Sequence, residues 1–480
     1  MGMRRLCALA AALVLVLVPA PAHAAHSAEL SMMDDQALLG APQAQIDKVL
    51  GQMQALGADR LRVSAYWADI APAPHARTKP SGFDARNPDD AHYRWAVLDQ
   101  VVQSAAARGM PVLISISNPA PYWATTQPAL RNPVWAPKAS ELADFAYAVA
   151  LRYRAVADEF ALLNEPNQGA WLQPQSLHGK PVAPFVYAGL VRAAYPAVKA
   201  AAPNSVVLVG ELASSGRDDP GVTRPIRPLR FLRLMGCRDA RYRPLRDPRC
   251  RGAGAVPVDG ISTHPYSLFK SPFQRSIDRD DAALGDWRRL LATLDGLIAH
   301  GALKPSHGPR LPVYYTEFGY QTDPPDPFAG IPLRRQDRWL QEAAYVAWRT
   351  PRVRAIDQFR VSDGRIRGKG ALAFREFQSG LWFANGKPKP SAASFPSPIV
   401  VLRSGRSRVL VWGQARPGGA HRVTVERRAP GARAFRAMST LRTDGHGYFQ
   451  VRVARRPGLY RFRWSDQSGR GVSEALGLRP

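Results

Sequence analysis

From residue 28 to residue 360 the chain alternates short apolar runs with longer stretches whose apolar positions recur every three to four residues. Those are the patterns of buried parallel strands and of amphipathic helices. Strands are expected over 28–33, 60–66, 110–117, 160–163, 206–210, 258–263, 313–316 and 355–360. Helices are expected between them, over 42–56, 93–107, 138–156, 185–201, 284–300 and 335–349. In the first of these, Ile46, Val49, Leu50, Met53 and Leu56 form one stripe before Gly57 stops it. A long insertion after the fifth strand holds a short helix near 229–235. Eight strands separated by helices predict an α/β fold, a closed (β/α)8 TIM barrel whose site lies at the C-terminal ends of its strands. An open doubly wound sheet is the competing fold, but no Gly-rich phosphate loop follows the first strand.

Near Pro396 the period changes to two. Runs at 408–412, 421–426, 448–453 and 459–464 alternate apolar and polar positions, separated by turn signals such as Pro417-Gly418-Gly419, Asp444-Gly445 and Pro457-Gly458. They predict a small all-β sandwich, reached through irregular chain at 377–395 and a linker at 386–398. At the other end, Arg4 and Arg5, an apolar stretch at 6–18 and Ala22-His23-Ala24 read as a secretory signal. The apolar stretch is shorter than the ~20 residues a spanning helix needs. The expected division is therefore a signal peptide at 1–24, a barrel at 25–396 and an Arg-rich sandwich at 397–480. No later stretch is apolar enough to span a membrane, so a secreted or cell-surface protein is expected.

Composition adds a strong positive charge. The net charge is +27, and residues 397–480 hold seventeen arginines, four acids and no lysine. Such a tail can associate with an anionic cell-wall polymer; the alternative is a chain rich in Ala, Arg, Pro and Gly throughout, whose arginines have no partner. The arginines are scattered along alternating strands without a recognition motif, which argues against specific nucleic-acid binding. Beyond the signal the cysteines are Cys237 and Cys250, both in an Arg- and Pro-rich segment. In an exported chain they suggest a local disulfide, with two free thiols as the alternative. Neither their spacing nor neighbouring histidines suggests a metal site, and no cofactor is expected.

Two strand ends carry the candidate chemistry. In the stretch Phe160 to Asn167 an apolar run ends in Asn164, Glu165 and Pro166, and proline cannot continue a sheet ladder. In the stretch Pro312 to Tyr320 a second apolar run ends at Glu317 and releases at Gly319. Strand tips four and seven of one barrel can face each other across a pocket. Hydrolysis of a glycosidic bond with retention needs one protonated carboxylic acid and one carboxylate ~5–5.5 Å apart. A glutamate at a strand end can also be an ordinary solvated residue.

With these motifs the chain resembles the clan A glycoside hydrolases, families 5 and 39 most closely, over roughly residues 28 to 395. The resemblance places the acid/base at Glu165 within Asn164-Glu165-Pro166, and the nucleophile at Glu317 within Thr316-Glu317-Phe318-Gly319. It implies that Asn164 bonds a sugar hydroxyl and that Arg62, on strand two, supports the nucleophile. It further implies that in Thr263-His264-Pro265-Tyr266 the tyrosine touches the nucleophile, while His264 contacts sugar or the acid. Asn118 stands where family 5 often has a histidine, and either meets a sugar or caps its loop. Strand eight departs from the family. It lacks the usual tryptophan, and Phe359 is the candidate substitute. Trp67, Trp123, Trp171 and Trp382 are candidates for sugar stacking or for packing, with Trp123 taken as a substrate-binding residue.

The function expected is that of a secreted, retaining O-glycosyl hydrolase acting on a β-linked oligo- or polysaccharide by double displacement, with a monomer as the default state. A transglycosylase using the same site, and a wall- or carbohydrate-binding protein without turnover, are the alternatives.

Overall fold

The computed structural model describes residues 28–466 and 469–479, so the expected signal segment lies outside the described residues. Eight strands, β1 (Glu29–Met33), β2 (Arg60–Tyr66), β3 (Val112–Ser117), β4 (Ala157–Leu162), β5 (Val206–Ala213), β6 (Gly260–His264), β7 (Val313–Phe318) and β8 (Val353–Phe359), close into a barrel. Each is parallel to both neighbours, and β8 returns to β1. Around it lie helices α1 (Gln43–Ala55), α2 (Ala96–Ala106), α3 (Ala139–Tyr153), α4 (Ala183–Ala201), α5 (Pro228–Met235), α6 (Trp287–Ala299) and α7 (Leu333–Arg349). The stripe read in α1 is the one it buries: Ile46, Val49, Leu50 and Met53. In the insertion, Cys237 and Cys250 form the disulfide, 13 residues apart in sequence.

Alternation along the strands separates two environments. Leu61, Val63 and Ala65 of β2 join the large core between barrel and helices, while Arg62, between them, enters the lumen. The lumen is layered. Leu113, Ala161, Leu208, Tyr314 and Ala355 form a separate apolar cluster. Two residues further along β3 and β8 come the buried polar groups Ser115 and Asp357, because side chains of one face recur with period two. The apolar layer thus lies beneath the polar one, and below it Arg60, Glu29 and Glu159 pair at the N-terminal end.

Strand lengths differ from expectation where the ladders are irregular. The β5 strand runs to Ala213 rather than stopping at residue 210, and its pairing with β6 shifts register between Val209 and Leu212. Gly210 permits the shift. It has φ +124°, and a Cβ there would sit 2.6 Å from the Ser262 carbonyl oxygen.

The C-terminal part is two antiparallel sheets. Strands β9 (Ile399–Ser404), β10 (Arg408–Gln414) and β13 (Tyr448–Ala454) form one, in the order β9-β10-β13. Strands β11 (Arg422–Arg428), β12 (Arg436–Arg442), β14 (Leu459–Asp466) and β15 (Gly469–Val472) form the other, in the order β12-β11-β14-β15. Val401, Val411, Val425 and Phe462 fill the space between them. The opposite face of the first sheet, Val400, Leu410 and Trp412, packs with Tyr448 on Ala344, Tyr345 and Trp348 of α7. The segment expected as a linker is itself structured. Lys389 is buried against Asp363 at 2.7 Å, and a short helix at Pro390–Ser394 hydrogen-bonds α7 through Ser391 and Gln336, 2.8 Å.

Trp412 is fully buried at that junction, its ring 5.4 Å from Tyr345 and 5.8 Å from Trp348. Trp412→Ala is expected to cost about 3–5 kcal/mol and to split the calorimetric unfolding of barrel and sandwich into two transitions. A single unshifted transition would contradict this coupling.

Candidate active site

Glu317 occupies the penultimate position of β7, where pairing with β8 shifts register between Tyr315 and Phe318. Glu165 lies three residues beyond the end of β4, in a turn where Leu163 and Glu165 have φ +59° and +40°. Non-glycine residues seldom adopt such values. The turn is held by the Glu165 N–H donating to the Glu211 carbonyl oxygen at 3.1 Å. Both carboxyl groups face the same space, with side-chain exposures of 19 % for Glu165 and 10 % for Glu317.

The two carboxylates have different neighbours. Glu317 accepts from Arg62 Nη1 at 2.8 Å on one oxygen and from the Tyr266 hydroxyl at 3.0 Å on the other. Glu165 has His264 Nδ1 3.0 Å from its Oε1, and the same ring nitrogen lies 3.5 Å from Glu317 Oε2. One ligand-type atom from each of Glu165, His264 and Glu317 falls within 4.8 Å of the others. Burial raises the pKa of Glu165, and the donor and charge of His264 offset this only in part. Burial also works against ionisation of Glu317, but His264 and Arg62 outweigh it and hold its carboxyl below the usual range. The neighbouring glutamates likewise raise the pKa of His264 against the opposing effect of its burial.

Arg62 is buried completely. Its Nε and Nη2 donate to Glu211 Oε1 at 3.0 and 2.7 Å, Nη2 also reaches Asn164 Oδ1 at 3.1 Å, and Nη1 contacts Met33 Sδ as well as Glu317. Arg62, expected to support the nucleophile, is enclosed by protein and touches the Glu317 carboxylate rather than the cavity. Of the two contacts expected for His264, sugar or acid, the structure has the one to the acid: its side chain has no exposed surface and its ring meets the two glutamates.

Glu211 was not legible as a site residue because Gly210 reads as the end of its strand. Its side chain is buried, bonds Arg62 twice and accepts from Ser115 Oγ. Asp357 of β8 adds a second buried acid to the same lumen, and burial pushes its carboxyl well above the usual range despite Arg62. Asp35, bonded by the Ser64 N–H and the Tyr66 hydroxyl, is pushed up to about 6, again by burial.

Above these groups opens a cavity of about 370 Å³ lined by Asn164, Glu165, Tyr266, Glu317, Phe359 and Trp171, among others. Asn118 and Trp123 are not among its lining residues. Asn118 Nδ2 donates to the Trp171 carbonyl oxygen at 2.6 Å, so it fastens the loop that carries Trp171. Trp123 is 1 % exposed, packed edge-on to Trp67 and Phe83, and donates its indole N–H to the Pro72 carbonyl oxygen at 3.1 Å. The tryptophan that does face the cavity is Trp171.

A closed (β/α)8 barrel with glutamates facing one another from the ends of strands four and seven is the class of protein that the fold and the site define. More particularly, residues 24–232 match the family model described as cellulase (glycosyl hydrolase family 5). That span includes Glu165 and ends before Glu317. No curated protein matches the chain at a significant level. Among solved structures, a family 39 glycoside hydrolase from Bacteroides cellulosilyticus WH2 is similar over 91 % of this chain and 81 % of its own, at 15 % identity and a TM-score of 0.51. A glucosidase from Croceicoccus marinus is similar over 94 % and 97 %, at 12 % identity and a TM-score of 0.52. At those identities the likeness is one of fold.

Because Asp357 is ionised in the unfolded chain above ~pH 4 but has a raised pKa when folded, it draws stability away as pH rises. Asp357→Asn is expected to raise Tm at pH 7, with the gain shrinking to nothing as pH approaches 4. A gain that grew toward low pH would reverse the assignment.

Proposed function

We propose that the protein is a secreted glycoside hydrolase that cleaves a β-linked glycan with retention, using Glu317 as nucleophile and Glu165 as acid/base. The observation that carries this reading is the placement of one oxygen of each carboxylate within 4.8 Å of the other. That approach accords with the ~5–5.5 Å of retaining enzymes; inverting enzymes hold their carboxyl groups ~6.5–9.5 Å apart to admit a water. The opposite pKa displacements of the two groups give it further support.

In the first step Glu317 attacks the anomeric carbon while Glu165 gives its proton to the departing oxygen. Arg62 and the Tyr266 hydroxyl keep the Glu317 carboxylate ionised and aimed, and Asn164 offers its amide to the sugar from the cavity wall. Once Glu317 is esterified its charge is gone, which removes one of the influences raising the Glu165 pKa. Glu165 then accepts a proton from water, and the water attacks the glycosyl-enzyme. Phe359 and Trp171 supply apolar faces to the sugar or its neighbour. His264 and Arg62 act through the two carboxylates as positioning residues.

Export is supported by the pattern at residues 1–24 and by the Cys237–Cys250 disulfide. Among the described residues no helix is long and apolar enough to cross a membrane. We take residues 25–396 as the catalytic unit and 397–480 as an accessory unit whose arginines associate with an anionic wall polymer.

Incubation with a panel of activated 2-fluoro-glycosides is expected to add one glycosyl mass to the wild-type chain and none to Glu317→Gln. An adduct that persists in the variant would remove Glu317 as nucleophile. The pH dependence of kcat/KM should be bell-shaped, with an acidic limb from Glu317 and a basic limb from Glu165. Tyr266→Phe, which deletes a donor that lowers the Glu317 pKa, should move only the acidic limb, and to higher pH. Glu165→Ala assayed on an activated aryl glycoside should lose the basic limb. A shift of the acidic limb to lower pH in Tyr266→Phe would contradict the geometry.

A further inference from the structure

The loops after β6, β7 and β8 give the cavity an apolar rim. Leu268, Phe269, Phe328, Ile366, Leu372 and Phe377 are between 45 and 77 % exposed. Leu268, Phe269 and Phe377 line the cavity, as does Ala329 beside Phe328. Phe328 approaches Phe374 at 6.0 Å, which joins the β7 and β8 loops. Phe377 lies 5.5 Å from Phe359, and Phe359 6.4 Å from Tyr266, so aromatic surface runs from the Glu317 partner out to the rim. Single exposed apolar residues are ordinary, whereas several on the loops around one opening mark something to be bound.

Two features select the kind of partner. Ile366, Leu372 and Leu268 have neither polar atoms nor flat faces, so a hydrated polysaccharide gains little from them, although it could stack on the phenylalanines. The same loop is cationic: between Arg365 and Phe377 it carries Arg365, Arg367, Lys369 and Arg375, all four exposed, against one acid, Glu376, which lies 3.6 Å from Arg367. Apolar side chains interleaved with Lys and Arg are the composition that settles into the boundary of an anionic bilayer.

We propose that this rim docks on an anionic lipid surface and that the glycoside cleaved is carried on a lipid, its sugar entering the cavity while its apolar part stays against the rim. The substrate half rests on the retaining-hydrolase reading; the docking half does not. Both follow from one patch, since Phe377 and Phe269 belong to the rim and to the cavity wall.

The full chain is tested by co-sedimentation with vesicles of phosphatidylglycerol and phosphatidylcholine against phosphatidylcholine alone, in wild type and in the triple variant Phe328→Ser, Ile366→Ser, Leu372→Ser. None of the three lines the cavity, and every charge is kept. The expected result is binding that favours the anionic vesicles, persists in part at 0.5 M salt, and weakens at least tenfold in the variant. Binding equal in both chains and abolished by salt would reduce the effect to the net charge of +27 and overturn the proposal. No binding to either vesicle would overturn it too. For the substrate, the sugar identified by the 2-fluoro panel is offered as its dodecyl glycoside in anionic vesicles and as its soluble aryl glycoside. The variant should lose at least tenfold on the first and keep its rate on the second. Equal rates of wild type and variant on the vesicle-borne substrate would overturn the lipid-borne assignment. Failure of the 2-fluoro trap with vesicle binding intact would strike the hydrolase reading and the lipid-borne substrate with it, and leave the docking standing.

Discussion

The buried guanidinium of Arg62 is the constraint on which the rest of the site depends. A cation without exposed surface costs several kcal/mol in lost hydration, and only closely placed partners offset it. Arg62 finds them in three directions: Glu211, Glu317 and Asn164, which come from three other strand ends. Its position in the lumen is set by alternation along β2, and its reach by the length of the side chain. Once it is there, the carboxylates of strands five and seven must turn inward to meet it. The register shifts at Val209/Leu212 and Tyr315/Phe318 are how the backbone allows that, and Gly210 is the residue that makes the first possible. Removing one member of such a set would leave an unpaired buried charge, so the network is structural and electrostatic at once.

The same charge divides the labour between the two glutamates. Glu317 takes a direct bond from Arg62 and a second from Tyr266, whereas Glu165 has only the shared imidazole of His264 and the barrel's low polarity around it. Burial acts on both in the same sense, and the difference lies in what opposes it. One fold thereby displaces the acidities of two neighbouring carboxyl groups in opposite directions, as acid-assisted displacement requires.

How much of this could be read from the chain follows from how local each feature is. The eight strands, the seven helices α1 to α7 and the tips bearing Glu165 and Glu317 are written in runs of apolar residues and in what ends them, so they were legible. Glu211 was not, because a glycine that ends a strand and a glycine that bends one look alike in sequence; the distinction is made by the Ser262 carbonyl of the neighbouring strand. Asn118 and Trp123 sit in a loop after a strand end, as ligands do, but their partners, the Trp171 carbonyl and the rings of Trp67 and Phe83, lie some 40 to 56 positions away. The segment around Lys389 has the proline, glycine and lysine of a linker, yet its ammonium is held by Asp363, Thr322 and the Gln378 carbonyl. Strand β12 escaped notice because most of its residues are exposed, so neither of its faces shows a clean apolar alternation.

The absence of a tryptophan at strand eight belongs with the layering of the lumen. On that strand Ala355, Asp357 and Phe359 share one face and stand successively in the apolar layer, the charged layer and the cavity. Phe359 therefore offers the cavity an aromatic face with no indole N–H to aim at a hydroxyl, and its ring abuts Phe377, which also lacks a polar atom. The wall on this side discriminates by shape and exclusion of water rather than by hydrogen bonding, while Asn164, Glu165 and Tyr266 supply the polar contacts. A site built this way presents a few convergent polar groups at its floor and leaves what lies beyond them to contact apolar surface.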